Sequence, residues 1–364
     1  MASVSELQVE TALKDYVEPY LNTDLVSAKA VKGITIDGGQ VTLDLALGFP
    51  LEGYRQTLAD AVAEVVTKNT PAEGVTVNIE QKIESHAVQQ GVSPIKGVKN
   101  VIAVASGKGG VGKSTTSVNL ALALAGEGAS VGILDADIYG PSLPRMLGLS
   151  DEKPDSKDNK TLEPLVNHGI QSMSIGYLIE PDTPMIWRGP MVTQALGQLI
   201  NDTNWRDLDY LVIDLPPGTG DIQLTLAQQV PVSGALIVTT PQDIALLDAH
   251  KAHKMFEKVS VPSLGIVENM SIHICSKCGH EEHIFGEGGG QAMSEQYGLE
   301  LLGSLPLDIH IREQADGGTP TVAAAPEGRI AEIYREIARS TAARLSLQAK
   351  EHSHKFPNIV VENN

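Results

Sequence analysis

Ser106-Gly107-Lys108-Gly109-Gly110-Val111-Gly112-Lys113-Ser114-Thr115 is the stretch of sequence that decides the fold. It fits the phosphate-loop pattern, in which a glycine and four further residues precede Gly-Lys-Ser. An apolar run at 101–105 comes before the loop and indicates a strand, and the run at 115–125 after it indicates a helix. The order of strand, loop and helix is the context in which this pattern binds nucleotide phosphates.

Each residue type in the loop has a chemical role in phosphate binding. Glycines allow positive φ angles and let backbone N–H groups turn toward phosphate oxygens. The following helix points the positive end of its dipole at the same anion. We expect Lys113 to reach the β- and γ-phosphates of ATP and Ser114 to bind Mg²⁺. The predicted nucleotide-binding residues of the loop are Gly107, Lys108, Gly109, Gly110, Val111, Gly112, Lys113, Ser114 and Thr115.

Three aspartates follow predicted strands near this loop. Asp135 and Asp137 follow a strand that ends at 134, and Asp214 follows one that ends at 213. Because ligands bind at the carboxyl ends of parallel strands, we expect all three carboxylates beside the nucleotide. We predict that Asp214 contacts Mg²⁺, that Asp137 positions the attacking water, and that Asp135 lies in the cofactor site. The alternative is that Asp135 and Asp214 only cap the helices that follow them.

A proline- and glycine-rich loop follows Asp214 directly and reads Pro-Pro-Gly-Thr-Gly at 216–220. The prolines stiffen the entry to the loop, and Gly218 allows a backbone N–H group to approach a γ-phosphate. This loop is therefore expected to respond to the presence of the γ-phosphate.

The chain from residue 101 onward alternates short apolar strands with helical stretches. Predicted strands lie at 101–105, 130–134, 210–213, 235–239, 263–267 and 301–305. This alternation predicts an α/β fold with a mostly parallel sheet and helices on both faces, as in P-loop NTPases. The apolar residues of a predicted helix at 329–345 lie on one side, so we expect it to pack on the sheet.

A small α/β domain is predicted before this sheet. It contains a helix at 6–21, a hairpin around Asp37-Gly38-Gly39, a helix at 51–67 and a strand at 75–79. The predicted organisation is therefore an N-terminal domain at 1–84, a linker at 85–98, a P-loop ATPase domain at 99–345 and a polar tail at 346–364.

Composition and charge exclude several classes of partner. The 364 residues include 45 acidic and 27 basic side chains, a net charge of −18, and the basic residues form no run. A nucleic-acid-binding surface is therefore not expected, because binding to phosphate backbones needs clustered Lys and Arg. No apolar stretch reaches the ~18 residues that a membrane span needs. The N-terminus lacks the pattern of a secretory signal, so a cytoplasmic protein is expected.

Cys275 and Cys278 are the only cysteines, and they form Cys-Ser-Lys-Cys. A thioredoxin-like redox pair normally opens a helix, whereas Gly279 and a charged loop follow here. A structural zinc site that recruits His280 and His283 would have unusually close ligand pairs. Two inert thiols are a third interpretation, and an iron-sulfur site is the one we favour. A four-iron cluster takes four thiolates, so one cluster that bridges two subunits of a homodimer is predicted.

These features together resemble the Mrp family of P-loop ATPases, the bacterial ApbC type of iron-sulfur cluster carrier. The resemblance covers about residues 99 to 345. It is carried by the phosphate loop from Gly107, Leu-Asp-Ala-Asp-Ile-Tyr-Gly-Pro-Ser from Leu134, Trp-Arg-Gly-Pro-Met from Trp187, Asp-Leu-Pro-Pro-Gly-Thr-Gly-Asp from Asp214, Glu-Asn-Met from Glu268 and Cys-Ser-Lys-Cys-Gly-His from Cys275.

The resemblance implies roles for individual residues. Lys108 matches the signature lysine of the deviant Walker A group, which contacts nucleotide phosphates, commonly across a dimer interface; a solvated loop lysine is the simpler alternative. The resemblance also implies Asp137 as the water-positioning residue of the first switch, 214–218 as the second switch, and Asn269 near the adenine. Arg188 lies in a family motif for which the sequence suggests no role.

The N-terminal domain resembles the small domain that often precedes this ATPase. Related domains often have a cysteine between small residues and a proline, where this chain has Gly48-Phe49-Pro50. Since residues 1–274 contain no cysteine, we expect this domain to dock a partner rather than to hold a cluster through thiolates.

The implied function is a slow ATPase whose nucleotide state controls the holding and transfer of an iron-sulfur cluster. Its expected partners are apo iron-sulfur proteins and a cluster-assembly scaffold. A ParA- or MinD-like ATPase is an alternative, but it would need a basic DNA surface or an amphipathic membrane tail. A reductase like the nitrogenase iron protein uses well-separated cysteines, whereas a tight pair suits a transferable cluster. ATP and the cluster are thus predicted to be two ligands of one dimer interface.

Overall fold

A computed structural model of the chain describes residues 4–89, 91–179, 189–275 and 277–348. Its N-terminal domain is a three-stranded sheet with two helices, in which the central strand pairs antiparallel with one neighbour and parallel with the other. The elements are α1 (Glu6–Lys14), β1 (Val17–Glu18), β2 (Thr23–Asp24), β3 (Val31–Asp37), β4 (Gln40–Leu47), α2 (Arg55–Asn69) and β5 (Gly74–Gln81).

The helix predicted at 6–21 ends at Lys14, so that prediction was wrong for its second half. Pro19 disfavours a helical conformation at the residue before it, which is Glu18. The buried carboxylate of Glu18 accepts a hydrogen bond from the N–H of Leu21 at 2.6 Å. This local side-chain contact replaces the helical backbone bonds.

The larger domain is built on an eight-stranded sheet in the order β15-β12-β11-β6-β10-β7-β9-β8. Only β8 runs antiparallel to its neighbour. The strands are β6 (Val98–Ala105), β7 (Val131–Asp135), β8 (Leu165–Asn167), β9 (Ile170–Ser174), β10 (Leu208–Asp214), β11 (Gly234–Thr239), β12 (Ser263–Glu268) and β15 (Leu301–Ser304); β13 (His273–Ile274) and β14 (Glu281–Glu282) form a separate hairpin. The helices are α3 (Lys113–Gly126), α4 (Leu143–Met146), α5 (Gly189–Asn201), α6 (Asp221–Gln229), α7 (Asp243–Lys258), α8 (Gly289–Tyr297), α9 (Ile309–Asp316), α10 (Thr321–Ala324) and α11 (Arg329–Ser346).

Different helices cover the two faces of this sheet. In β11, Leu236 and Val238 belong to the main apolar core, on which α3 and α11 pack. Ile237 lies between them and points the other way, into a second cluster with Ala249 of α7 and Met293 of α8. The strand is thus buried on both faces, which confirms the predicted parallel sheet with two helical layers. None of the described helices is long and apolar enough to cross a membrane.

The segment predicted as a linker, 85–98, is packed onto the larger domain. The N–H of His86 donates to the side-chain oxygen of Asn100 at 3.1 Å, and the His86 ring lies 2.9 Å from the same atom. Gln89 donates to the C=O of Ala227 at 2.7 Å and accepts from the N–H of Val232 at 3.1 Å. These side-chain contacts fix the path of the chain between the two domains.

Hydrogen bonds around a buried ion pair of the larger domain join that domain to the N-terminal one. Arg339 of α11 donates to Glu127, the residue that ends α3, at 2.7 Å, and to the hydroxyl of Tyr20 at 2.9 Å. Glu127 also accepts the backbone N–H of Gly53 at 3.0 Å, and its C=O accepts that of Glu52 at 3.1 Å. The helix that begins at the phosphate loop is therefore anchored to the N-terminal domain at its other end.

We expect Arg339→Ala to lower the free energy of unfolding by about 3–5 kcal/mol, because the buried Glu127 carboxylate would lose its charged partner. Urea unfolding followed by circular dichroism measures this loss. Arg312→Ala, which removes an arginine 63% exposed, is the matched control and should cost less than about 1 kcal/mol. Equal losses for the two variants would contradict an anchoring role for Arg339.

Candidate functional site

The phosphate loop runs directly into α3, and its glycines are required by both conformation and space. Gly110 and Gly112 have φ angles of 81° and 83°, which L side chains rarely adopt. A Cβ atom at Gly107 would lie 2.1 Å from the backbone carbon of Asp248, and one at Gly112 would lie 2.1 Å from the amide nitrogen of Asn269. The loop therefore follows a tight path that ends at the N-terminus of a long helix, the geometry that binds phosphate.

Three side chains near the start of α3 converge on the buried carboxylate of Asp214. The Lys113 ammonium lies 2.6 Å from one oxygen of Asp214, and the Ser117 hydroxyl donates to the same oxygen at 2.7 Å. The Ser114 hydroxyl donates to the other oxygen at 2.5 Å. Carboxylate and hydroxyl oxygens are the ligands that Mg²⁺ prefers, so this cluster fits a cation held together with nucleotide phosphates.

Ser117 was not among the residues predicted from the sequence. It lies four residues after Lys113 and three after Ser114, so helical spacing places all three on one side of α3. Its hydroxyl also donates to the C=O of Lys113 at 2.9 Å. Helical periodicity from the loop lysine was therefore the signal that could have found it.

Asp135 lies beside Asp214, because β7 and β10 pair in register at these two residues. The fully buried Asp135 carboxylate accepts the backbone N–H groups of Asp137, Ser142 and Leu143 at 3.0–3.2 Å. Burial, and after it the charge of Asp214, raises the pKa of Asp135 to about 7. Its hydrogen bonds to the N–H groups at the start of α4 match the alternative in which Asp135 only caps that helix. Contact between Asp135 and the nucleotide cofactor stays a prediction.

Asp137 is half-buried, two residues beyond the end of β7 at Asp135. Burial raises the pKa of its carboxyl group, while the positive charge of Lys113 acts against that rise. The effect of Lys113 places Asp137 within electrostatic reach of the phosphate site. Its predicted role, to position the attacking water, is compatible with this location.

Asn269 and Gly218 both brace the loop region. The Asn269 side chain donates to the C=O of Val111 at 2.8 Å and accepts the N–H of Met270 at 3.0 Å. Gly218 has a φ of 100° and donates its N–H to the C=O of Ser106 at 2.9 Å. Asn269 was predicted to lie near the adenine, and Gly218 to let a backbone N–H approach the γ-phosphate; the geometry ties both residues to the loop itself.

Lys108 differs from Lys113 in its surroundings. Its side chain is partly exposed, and among the described residues it has no ion-pair partner, whereas Lys113 is buried against Asp214. The hydroxyl of Ser106 donates to the C=O of Lys108 at 2.9 Å and so holds its backbone. Trp187 and Arg188, which belong to another motif of the sequence, lie outside the described residues.

The hairpin of β13 and β14 carries the two cysteines on a tight turn. The N–H of Cys275 donates to the C=O of His280 at 2.9 Å, and the C=O of Cys275 accepts the N–H of Gly279 at 2.8 Å. Cys278 is exposed and Cys275 is partly exposed. Backbone N–H groups of Lys277 and Cys278, and then the Cys278 side chain, lower the pKa of the Cys275 thiol. This turn therefore stabilises the thiolate form, which is the form that binds metals.

Within the described part of the chain, no group of three or more His, Cys, Asp or Glu side chains is placed to hold a metal ion. The ring of His283 is oriented instead by the C=O of Ser271, which lies 3.0 Å from its Nδ1. The structure thus lends no support to a zinc site formed by the cysteines with His280 and His283.

We expect Cys275 in the metal-free protein to react with iodoacetamide at lower pH than the same thiol in the unfolded chain. The folded turn lowers the pKa of this thiol, so the reactive thiolate forms earlier as the pH rises. Peptide mass spectrometry after short labelling pulses between pH 6 and 10, with and without urea, gives the pH at which half of Cys275 is labelled in the folded and in the unfolded chain. Equal pH values of half-labelling in the two states would show that the turn does not stabilise the thiolate.

Comparison with known proteins gives two family matches that together cover both domains. A family model described as NUBPL iron-transfer P-loop NTPase matches residues 97–342, and one described as iron-sulfur cluster assembly protein matches residues 6–79. The "Iron-sulfur cluster carrier protein" of Haemophilus influenzae is 51% identical over 94% of this chain and 92% of its own length. The mouse "Iron-sulfur cluster transfer protein NUBPL" is 52% identical over 69% of this chain and 79% of its own length.

Solved structures support the same fold. A nucleotide-binding protein from Archaeoglobus fulgidus in complex with ADP is 40% identical, with a TM-score of 0.55, and covers 61% of this chain and 87% of its own. The cell division ATPase MinD of Pyrococcus furiosus is 22% identical, with a TM-score of 0.51, and covers 66% of this chain and 97% of its own. At that identity the second likeness shows only a shared fold.

Proposed function

The chain belongs to the family of NUBPL-type iron-transfer P-loop NTPases, and from this premise we propose that it carries an iron-sulfur cluster and transfers it to apo-proteins under control of ATP. The observation that supports this proposal most strongly is the connection between the two sites. Asn269 binds the C=O of Val111 in the phosphate loop, and Cys275 follows only six residues later. A change at the nucleotide is thus linked by one short segment to the exposed thiols.

The larger domain supplies the groups for ATP binding and hydrolysis. Loop N–H groups and Lys113 bind the phosphates, while Ser114 and Asp214 would hold Mg²⁺, which would neutralise phosphate charge when bound. Asp137 orients the attacking water, and Lys108 contributes its charge to the phosphates of the nucleotide in the facing subunit. Hydrolysis is slow, because a single lysine, Lys108, supplies the positive charge that an arginine finger adds in faster NTPases.

The cluster is the cargo, and the two cysteines provide half of its ligands. A four-iron cluster takes four thiolates, so two copies of the Cys275–Cys278 turn complete one site across a homodimer. The turn suits this role because both thiols are at the surface and the thiolate of Cys275 is stabilised. An exposed cluster held at the junction of two subunits is accessible to an acceptor protein. The expected partners are apo iron-sulfur proteins and a scaffold that supplies the cluster.

Anaerobic reconstitution with iron and sulfide tests this proposal. We expect about four irons and four sulfides per dimer, a visible absorption band, and loss of that band when an apo-acceptor is added. The dimer and its cluster should appear together in size-exclusion chromatography. A protein that binds no iron under these conditions would exclude the carrier function, whereas a cluster that cycles redox state without transfer would favour a reductase.

A further inference from the structure

A cavity of about 770 Å³ lies at the edge of the large sheet. Leu301 and Ser304 of β15 line it, together with Gln291 of α8 and with Ile330 and Ile333 of α11. Since α8 and α11 cover opposite faces of the sheet, a cavity that both helices line opens at the sheet edge between them. We call this cavity the edge groove.

The backbone beside the edge groove is free to pair. β15 is the terminal strand of the sheet, and within the described residues no strand pairs with its outer side. Such an edge presents unpaired N–H and C=O groups, which can add a strand from another chain. The edge groove therefore offers both a backbone template and room for the side chains of an added strand.

The edge groove is continuous with the cysteine hairpin. Ile274, which directly precedes Cys275, and His283 of the same hairpin both line it. A segment bound along β15 would thus contact the element that carries the two thiols.

The lining defines the chemistry of the segment that fits. Most of the exposed wall is apolar, with Ile272 and Leu307 extending it toward the hairpin. Three charged side chains also line the groove: Asp308, Arg329 and Glu268, whose carboxylate accepts the N–H of Gly290 at 2.5 Å. Glu281 and Glu282 are exposed on the hairpin itself. A complementary strand would place apolar side chains in the groove and a basic residue at the hairpin end.

We propose that the edge groove docks an extended segment of the recipient apo-protein, which pairs with β15 as an added strand. The recipient would carry apolar side chains in the segment and a basic residue near Glu281 and Glu282. This proposal rests on the proposed carrier function, because it names where the recipient binds. It brings the recipient beside the cluster before transfer, so that the exchange of thiolate ligands occurs within one complex.

The double substitution Ile330→Glu with Ile333→Glu tests the proposal by placing two charges in the edge groove. The probe is a purified four-iron ferredoxin in its apo form. We expect its Kd for the cluster-free carrier to rise at least tenfold and cluster transfer at low ferredoxin concentration to fall by a similar factor. Cluster content and ATP hydrolysis should be unchanged, and circular dichroism checks that the double variant stays folded, because both isoleucines pack partly against the core. Val166→Glu, at a residue 62% exposed on the opposite edge strand β8, is the matched control.

A photoreactive benzoyl-phenylalanine at Ser304 provides a second measurement that does not depend on the double variant. We expect it to cross-link an extended apolar segment of apo-ferredoxin, while the same group at Val166 cross-links none. An unchanged Kd in the double variant, no cross-link at Ser304, or no binding to the wild-type chain would each overturn the docking site. If the wild-type chain binds ferredoxin through the edge groove but holds no cluster, the carrier function fails and the docking site stands.

Discussion

Replacing both Cys275 and Cys278 by serine is expected to reduce reconstituted iron from about four per dimer to a trace, the largest effect of any change in this chain. These are the only thiols in the sequence, and among the described residues no group of three or more His, Cys, Asp or Glu side chains is placed to hold a metal ion. A serine hydroxyl does not replace a thiolate as a cluster ligand. Because both subunits of the expected homodimer carry the two substitutions, all four predicted cluster ligands are lost. Iron and acid-labile sulfide assays after anaerobic reconstitution measure the loss.

The fold and nucleotide affinity of this double variant should match those of the wild type. The hairpin is exposed, so both thiols contribute little to the core. His283→Asn is the matched control, because it lies on the same hairpin and tests the zinc interpretation at once. We expect it to keep its cluster. Iron that remained bound to the double variant would contradict a cluster held by the cysteine pair. Loss of iron from the His283→Asn variant would contradict it as well.

The loop motif and the alternation of strands and helices were sufficient to predict the class of fold. A phosphate loop needs left-handed glycines and a following helix, and these are local properties that the sequence encodes within about ten residues. The strand-end aspartates were predictable for a similar reason, since parallel strands bring their carboxyl ends together. Membership of the family predicted from the combined motifs is confirmed by the family match over residues 97–342.

Features that depend on contacts distant in sequence could not be predicted. Glu127 reads as an ordinary residue after a helix, and only the packing of α11 brings Arg339 to it across 212 positions. β8 and β9 were missed because Gln171, Ser172 and Ser174 give their segment no clear apolar alternation. The edge groove is likewise formed by elements that the sequence does not mark as neighbours.

Lys108→Ala is expected to reduce ATP hydrolysis by about 10³-fold while leaving the affinity of the monomer for ATP nearly unchanged. Lys113 already has its counter-charge in Asp214 and lies at the start of α3, where we expect it to bind the nucleotide of its own chain. Lys108 is partly exposed on the loop and lacks an ion-pair partner among the described residues. Its charge is thus available to a second subunit. Steady-state phosphate release and equilibrium binding of a fluorescent ATP analogue separate the two effects.

Two further variants separate the role of Lys108 from the roles of other lysines. Lys113→Ala should abolish ATP binding itself, and Lys96→Ala, at an exposed lysine outside the loop, should change neither quantity. If Lys108 acts across the interface, its loss also weakens ATP-dependent dimerisation and slows cluster transfer, because both ligands share one interface. Hydrolysis lost without any change in dimerisation or transfer would leave Lys108 a catalytic residue but would refute the coupling of ATP to the cluster.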